Sequence, residues 1–242
     1  MWLIFPLGGS FTKIWHKDTY PFIDPATQSD HTGHYVFITG ASKGVGRATA
    51  ISFASAGAAG IALGARSDYG TLSSEMLAAA SKAGKAAPKI LSLKLDVMKY
   101  EDIEAAAKEV EKEFGRLDIL INNAGYLSPF ESILDTPKED YWRNYEINMR
   151  GIYWVTKAFL PLMLKGGEKT IVNLSSRGAM GLRHGGSGYQ VTKMAVTKFT
   201  EFLMVEYGEQ GLLAFSVHPC GALTELGTGM PKNFHASESS FI

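Results

Sequence analysis

From His34 onward, short apolar runs alternate with longer stretches in which apolar residues recur every three or four positions. The short runs, residues 35–39, 60–64, 90–95, 117–121, 170–174 and 212–217, predict six strands. Residues 46–56, 69–83 and 100–114 predict helices between them, the last with Ile103, Ala107 and Val110 on one face. A longer helix has a start signal at Thr136-Pro137-Lys138-Glu139: Thr as N-cap, Pro at the first helical position and Glu at the third. It extends to about Lys165, with Pro161 bending its last turn and Gly166-Gly167 ending it. Residues 189–207 predict the final helix, with Ala195, Phe199, Phe202 and Leu203 as its apolar face. Strands alternating with helices at this spacing imply βαβ units, a parallel sheet and right-handed crossovers. The expected fold is therefore α/β, a doubly wound parallel sheet of about six strands in three layers. No repeat or linker divides residues 34–242, which read as a single domain. Residues 1–33 read as an extension, with disorder expected over residues 24–33, where Pro, Thr, Ser, Asp and Gly cluster.

Composition narrows the function. Hydrophobic residues make up 45% of the 242 and charged residues 20%, which supports a packed core rather than a disordered chain. The 24 Lys and Arg balance the 24 Asp and Glu, and no strongly basic run occurs, so nucleic acid is not an expected partner. The single cysteine, Cys220, excludes an internal disulfide and reads as a small buried hydrophobe; the expected location is cytoplasmic. Residues 1–7 are apolar but lack a basic start and are too short to span a bilayer, so no stable membrane insertion is expected; the alternative is weak surface contact through Trp2 to Phe5.

The turn after the first predicted strand, Thr39-Gly40-Ala41-Ser42-Lys43-Gly44-Val45-Gly46, opens the first predicted helix. Glycines there allow a tight turn and close backbone approach to a pyrophosphate, which the helix N-terminus favours electrostatically. A glycine-rich turn alone is weak evidence, but a strand before it, a helix after it and a surrounding βαβ unit point to a dinucleotide. At the end of the second strand stands Arg66, with no carboxylate in the position that binds a ribose 2′-hydroxyl. With Lys43 in the loop, this favours NADP (NADPH) over NAD.

Tyr189 and Lys193 are four residues apart, one turn apart on one helical face. An ammonium beside a phenol favours the phenolate, making Tyr189 a candidate proton donor and acceptor. Taken alone, such a pair is ordinary on an exposed helix; the rest of the chain gives it meaning.

Together these motifs resemble the short-chain dehydrogenase/reductase family, of single-domain Rossmann type, over about residues 35–224. The glycine-rich segment Gly40, Ser42, Lys43, Gly44, Val45 and Gly46 matches that family's cofactor loop. Asp96-Val97 matches its adenine contact. Asn123, Ala124 and Gly125, after Asn122, match its strand-stabilising motif. Asn148 stands at the helix position of its proton relay, and Ser176 lies thirteen residues before Tyr189. Pro219 and Thr224 fall where the family contacts the nicotinamide amide.

The resemblance implies that Ser176 would hydrogen-bond a substrate carbonyl oxygen and Tyr189 would exchange a proton with it. Lys193 would lower the Tyr189 pKa and hold the nicotinamide ribose, and Asn148 would position a water linking Lys193 to solvent. Ser175, the neighbour of Ser176, is set aside on spacing alone, and Asp118 reads as a structural hydrogen-bond acceptor. Residues 126–130, 178–184 and 222–230 are the expected walls of the substrate pocket, and His184 reads as a loop residue rather than a second acid or base. No His/Cys/Asp cluster has metal-ligand spacing, so no catalytic metal is expected.

Two features depart from the pattern. Cys220 follows Pro219 where the family has Gly, and only about eighteen residues follow Thr224, fewer than the family uses for a lid, a further helix and a seventh strand. The expected function is NADP(H)-dependent interconversion of a carbonyl and a secondary alcohol on a small organic molecule, with a homo-oligomer left open. The alternative is a shortened, catalytically weak NADP(H)-binding protein that acts through binding or pairing.

Overall fold

A computed structural model describes residues 18–219 and 224–228. The apolar start at residues 1–7, Cys220, Gly221 and the polar stretch 230–242 lie outside these residues. The described chain begins with a short helix, α1 (Pro25–Gln28), where disorder was expected. Its order has a local cause: the Asp24 carboxylate accepts from the Ala26 N–H at 3.0 Å, Pro25 fits the first turn, and the His31 N–H donates to the Ala56 carbonyl at 2.8 Å.

Then follow β1 (Tyr35–Thr39), α2 (Gly44–Ser55), β2 (Gly60–Ala65), α3 (Leu72–Lys82), β3 (Lys89–Lys94), α4 (Tyr100–Phe114) and β4 (Ile119–Asn122). The second half contains α5 (Lys138–Tyr145), a π-helical turn over Glu146–Gly151, and α6 (Ile152–Met163). After these come β5 (Thr170–Leu174), a short 3₁₀ turn, α7 (Ser187–Tyr207), β6 (Leu213–Val217) and α8 (Glu225–Thr228). The six strands are all parallel, in the order β3-β2-β1-β4-β5-β6. The order reverses between β1 and β4, so the loops leaving their C-terminal ends diverge and open a crevice there.

Alternation along β1 builds both faces of the core. Phe37 points to the α4–α6–α7 side and stacks on Phe159 with ring centroids 4.2 Å apart. Val36 and Ile38 point the other way, toward Ala50, Ala54, Leu72 and Met76 of α2 and α3. The edge strand β6 is less covered. Its Ala214 packs on the α6–α7 side, whereas Leu213, Phe215 and Val217 are half-exposed on the other.

The long helix expected after Thr136 has the predicted extent but a different interior. Pro137 rather than Thr136 is the N-cap, and the Thr136 hydroxyl donates to the Glu131 and Ser132 carbonyls instead of capping. The π turn in its middle was not expected, since its extra residue departs from the 3.6-residue spacing on which the pattern rests. The apolar face assigned to α7 also shifts: Leu203 is buried but Phe202 is 50% exposed, and the buried face comprises Gly188, Tyr189, Thr192, Lys193, Val196, Thr200 and Leu203. No described helix is long and apolar enough to cross a membrane.

Candidate active site

A cleft opens at the C-terminal ends of β1 and β4. The turn between β1 and α2 forms its floor. Gly40 and Gly44 have φ of +67° and +57°, a region that side chains other than glycine rarely enter. Gly46 is needed for a different reason: a Cβ there would lie 2.5 Å from the Gly40 carbonyl oxygen and 2.4 Å from Asn123 Nδ2. It does not line the cleft; it lets α2 approach closely from below. The start of α2 has no side-chain cap, so its first N–H groups face the cleft available for an anion.

The segment after β4 holds this turn in place. Asn123 Nδ2 donates to the Thr39 and Gly40 carbonyls at 2.9 and 3.1 Å, while the Asn123 and Ala124 N–H groups both donate to Thr39 Oγ1 at 3.0 Å. One asparagine thus joins the ends of β1 and β4. Beneath it, Asn122 Nδ2 donates to Asn173 Oδ1, and Asn173 Nδ2 donates to Thr200 Oγ1, tying β4, β5 and α7 together through buried polar groups.

Gly40, Ser42, Lys43, Gly44, Val45, Arg66, Asp96, Val97, Asn123, Ala124, Gly125, Pro219 and Thr224 line the cleft. The Asp96 carboxylate accepts from the Met98 N–H, and the Asp96 N–H donates to Asp102 Oδ2, which fixes the loop after β3. Lys43 and Glu225 form an ion pair across the mouth, linking the glycine-rich turn to α8.

Ser176, Tyr189 and Lys193 line the same cleft from the opposite side. Tyr189 and Lys193 lie on the buried face of α7, 8% and 4% exposed. Ser176 begins the 3₁₀ turn after β5; its Oγ accepts from the Gly178 N–H at 3.0 Å and reaches the Tyr189 hydroxyl. The two neighbouring serines differ in their hydrogen bonds. Ser175 Oγ donates to the Lys193 carbonyl and meets Thr197 Oγ1, so it is engaged in holding α7.

Lys193 Nζ donates to the Leu174 carbonyl at 2.7 Å and lies 5.5 Å from the Tyr189 ring centroid. Burial pushes the Lys193 ammonium down to about 8. Burial also pushes the Tyr189 phenol above its ordinary value, with the Ser176 hydrogen bond pulling it partly back. The expected lowering by Lys193 is thus reversed in net direction, because desolvation dominates both groups.

Asn148 is buried in the π turn, behind the cleft rather than in its wall. Its Oδ1 accepts from the Tyr126 N–H and its Nδ2 donates to the Tyr126 carbonyl, both at 2.8 Å, and Nδ2 also reaches Thr192 Oγ1 at 3.2 Å. It therefore positions Tyr126, which lines the cleft. A π turn brings an extra backbone position to a helix surface and is frequent at functional sites.

The expected pocket walls are met in part. Tyr126 lines the cleft, as do Thr224, Glu225, Leu226 and Gly227, but residues 178–184 do not. Met180 and Leu182 are 62% and 92% exposed, and His184 is exposed. Leu95, Ile147 and Leu174 line the cleft without having been singled out. Each adjoins a recognised motif, which is the signal that would have found them. Asp118 is structural, as expected: fully buried, it accepts from the Tyr35 N–H and from Arg116 Nε.

This geometry has close counterparts. The chain is 47% identical to the short chain dehydrogenase mpl6 of Monascus purpureus over 236 residues, 97% of this chain and 80% of that protein. A 3-ketoacyl-(acyl-carrier-protein) reductase from Brucella melitensis, solved with NADH, superposes with a TM-score of 0.74 at 28% identity over 85% of this chain and 83% of that one. An alcohol dehydrogenase from Thermococcus sibiricus, solved with 5-hydroxy-NADP, gives 0.67 at 28% identity over 76% and 75%. The family model for short chain dehydrogenases matches residues 34–233, the whole sheet and every motif lining the cleft, and the chain therefore belongs to the short chain dehydrogenase family of oxidoreductases.

Proposed function

We propose that this protein interconverts a carbonyl and a secondary alcohol on a small organic molecule, using NADP(H) and Tyr189 as general acid and base. The observation that carries the reading is the convergence on one cleft of a Ser176–Tyr189–Lys193 set and an uncapped, glycine-lined helix start. The nicotinamide group supplies or accepts the hydride when bound; the chain's own residues orient the reactants and handle the proton.

A Tyr189 phenol held above its ordinary pKa is protonated at neutral pH, which suits it to donate to a carbonyl oxygen during reduction. Ser176 Oγ, beside it, would steady the charge that develops on that oxygen. Lys193 is in reach of the cleft and bears its positive charge below about pH 8. Asn148 keeps the Tyr126 wall in position through the bonds already described, acting as a positioning residue.

The relatives leave the cofactor choice to this chain's own residues, since one was solved with an NADP analogue and another with NADH. Lys43 and Arg66 line the cleft, and the first carboxylate after β2, Asp68, instead accepts from the Gly70 N–H. A 2′-phosphate would find Arg66 there, and Lys43 on exchange of its Glu225 partner, with no carboxylate from the end of β2. The proposed substrate is a small molecule, and the proposed setting is the cytoplasm.

The test is oxidation of NADPH and of NADH with a panel of ketones and quinones. Turnover with NADPH at lower KM than NADH supports the proposal; equal KM values overturn the role given to Arg66. A second reading, an inert NADP(H)-binding protein that acts through pairing, is favoured by the apolar surface of β6 at Leu213, Phe215 and Val217. Tight NADPH binding without turnover across the panel would favour it.

A further inference from the structure

The opposite end of the sheet carries a second cluster, unrelated to the cleft. His31 and His34 flank a tight turn, His31-Thr32-Gly33-His34, closed by the His34 N–H donating to the His31 carbonyl at 3.0 Å. Gly33 has a φ of +81°, which allows the turn to fold back at no steric cost. The turn is anchored on three sides. The His31 N–H donates to the Ala56 carbonyl, the His34 carbonyl accepts from the Ala59 N–H, and Arg116 Nη2 donates to the Gly33 carbonyl at 3.0 Å.

This folding brings the two imidazoles together, with ring centroids 5.5 Å apart and planes tilted by 57°. Their Nδ1 atoms are 3.3 Å apart, and His34 Nδ1 is 3.6 Å from Glu168 Oε2. Glu168 is 134 residues further along and just precedes β5. One candidate ligand atom from each of the three residues falls within 4.8 Å of the others. Two nitrogens bound at about 2.05 Å to one tetrahedral centre lie about 3.3 Å apart, so the observed separation is the one a zinc-sized ion requires.

Two of the three side chains are held by neighbours. The His31 ring packs on Phe53, with centroids 4.8 Å apart. Glu168 Oε1 accepts from Thr170 Oγ1 at 3.1 Å, leaving Oε2 turned to His34. Glu168 is partly open to solvent, which gives water access to a fourth position. A hydrogen bond between the imidazoles would explain the His31–His34 distance and an ion pair the His34–Glu168 one, whereas one shared cation accounts for both contacts together.

We propose that His31, His34 and Glu168 form a structural site for a divalent transition-metal ion of the zinc type, which fastens the segment before β1 to the base of β5. The sequence reading missed it because its third ligand is distant in the chain and His31 stands in residues 24–33, which were read as disordered. The site lies at the N-terminal ends of the strands, and the cleft at their C-terminal ends, so its role is to clamp the fold rather than to act on substrate.

The test uses the full chain, stripped with a chelator and titrated with Zn²⁺ by calorimetry and with Co²⁺ by visible absorption. The expected result is one ion per chain, a Zn²⁺-dependent rise in Tm and the visible bands of four-coordinate Co²⁺. His31→Gln and His34→Gln should each weaken Zn²⁺ binding by at least about tenfold while leaving the NADPH Kd unchanged. Absence of Zn²⁺ binding at about 0.1 mM metal, or unchanged affinity in the His variants, overturns the proposal. Should a His variant fail to fold, as an altered NADPH Kd would reveal, Glu168→Gln decides the matter, since Glu168 is a surface residue: weaker Zn²⁺ binding supports the site, and unchanged binding overturns it.

Discussion

Helices α4 and α7 pack on the same face of the sheet, yet their buried sides are built on opposite principles. On α4 the buried residues are Ile103, Ala106, Ala107, Val110 and Phe114, all apolar and at helical spacing. Gly115 ends the helix at a φ of +76°, with its N–H donating to the Glu111 carbonyl. On α7 the buried side holds Tyr189, Thr192, Lys193 and Thr200, while Val191, Phe202 and Val205 are 48%, 50% and 78% exposed. The first helix is arranged for stability. The second buries polar groups at an energetic cost: Tyr189 and Lys193 face the cleft, while Thr192 and Thr200 accept from Asn148 and Asn173 behind it.

That contrast can be broken at its strongest point, Lys193. Lys193→Met should reduce turnover by about 100-fold or more while the chain stays folded. The same residue sets a pH signature. Its folded pKa of about 8 lies below the ordinary lysine value, so between about pH 8 and 10.5 the unfolded chain binds more protons than the folded one. Stability from this group therefore rises with pH across that window, by roughly 3 kcal/mol in all, and is absent below it. Denaturant titrations at pH 8 and 10 should reveal the rise in the wild type and a smaller one in Lys193→Met.

On α4 the expected response is the converse. Ile103→Ala should lower unfolding stability by about 2–5 kcal/mol by opening a cavity in the core, with little change in NADPH Kd for the folded fraction. A loss of turnover beyond the loss of folded protein would show that α4 participates in the site. The smallest effect belongs to the apolar outer side of α7. Phe202→Ser should shift stability by no more than about 0.5 kcal/mol, since its ring already lies half in solvent.

The same contrast explains what the sequence made legible. The bounds of α4, β1 and β5 agree with their apolar patterns because burial alone shaped those segments. The apolar face of α7 was misassigned through Phe202, because a helix that buries Tyr189 and Lys193 lacks the pattern on which such an assignment depends. The π turn at Asn148 escaped notice, since one inserted residue leaves no compositional trace. Residues 178–184 follow Ser176 closely in sequence, but none of them lines the cleft. His31, His34 and Glu168 meet only after β1 and β5 are placed in the sheet. The glycine-rich turn and Asn122-Asn123-Ala124-Gly125 were readable because their constraints, close backbone approach and strand-end hydrogen bonding, act within a few residues.

The most direct test of the α7 account is Tyr189→Phe, with turnover, NADPH Kd and unfolding free energy measured on the same preparation. The account predicts that turnover falls by about 10²-fold to 10⁴-fold while Kd and stability stay close to wild type, because only a proton-carrying hydroxyl is lost. Retained turnover, or a loss of activity matched by an equal loss of folded protein, would contradict it.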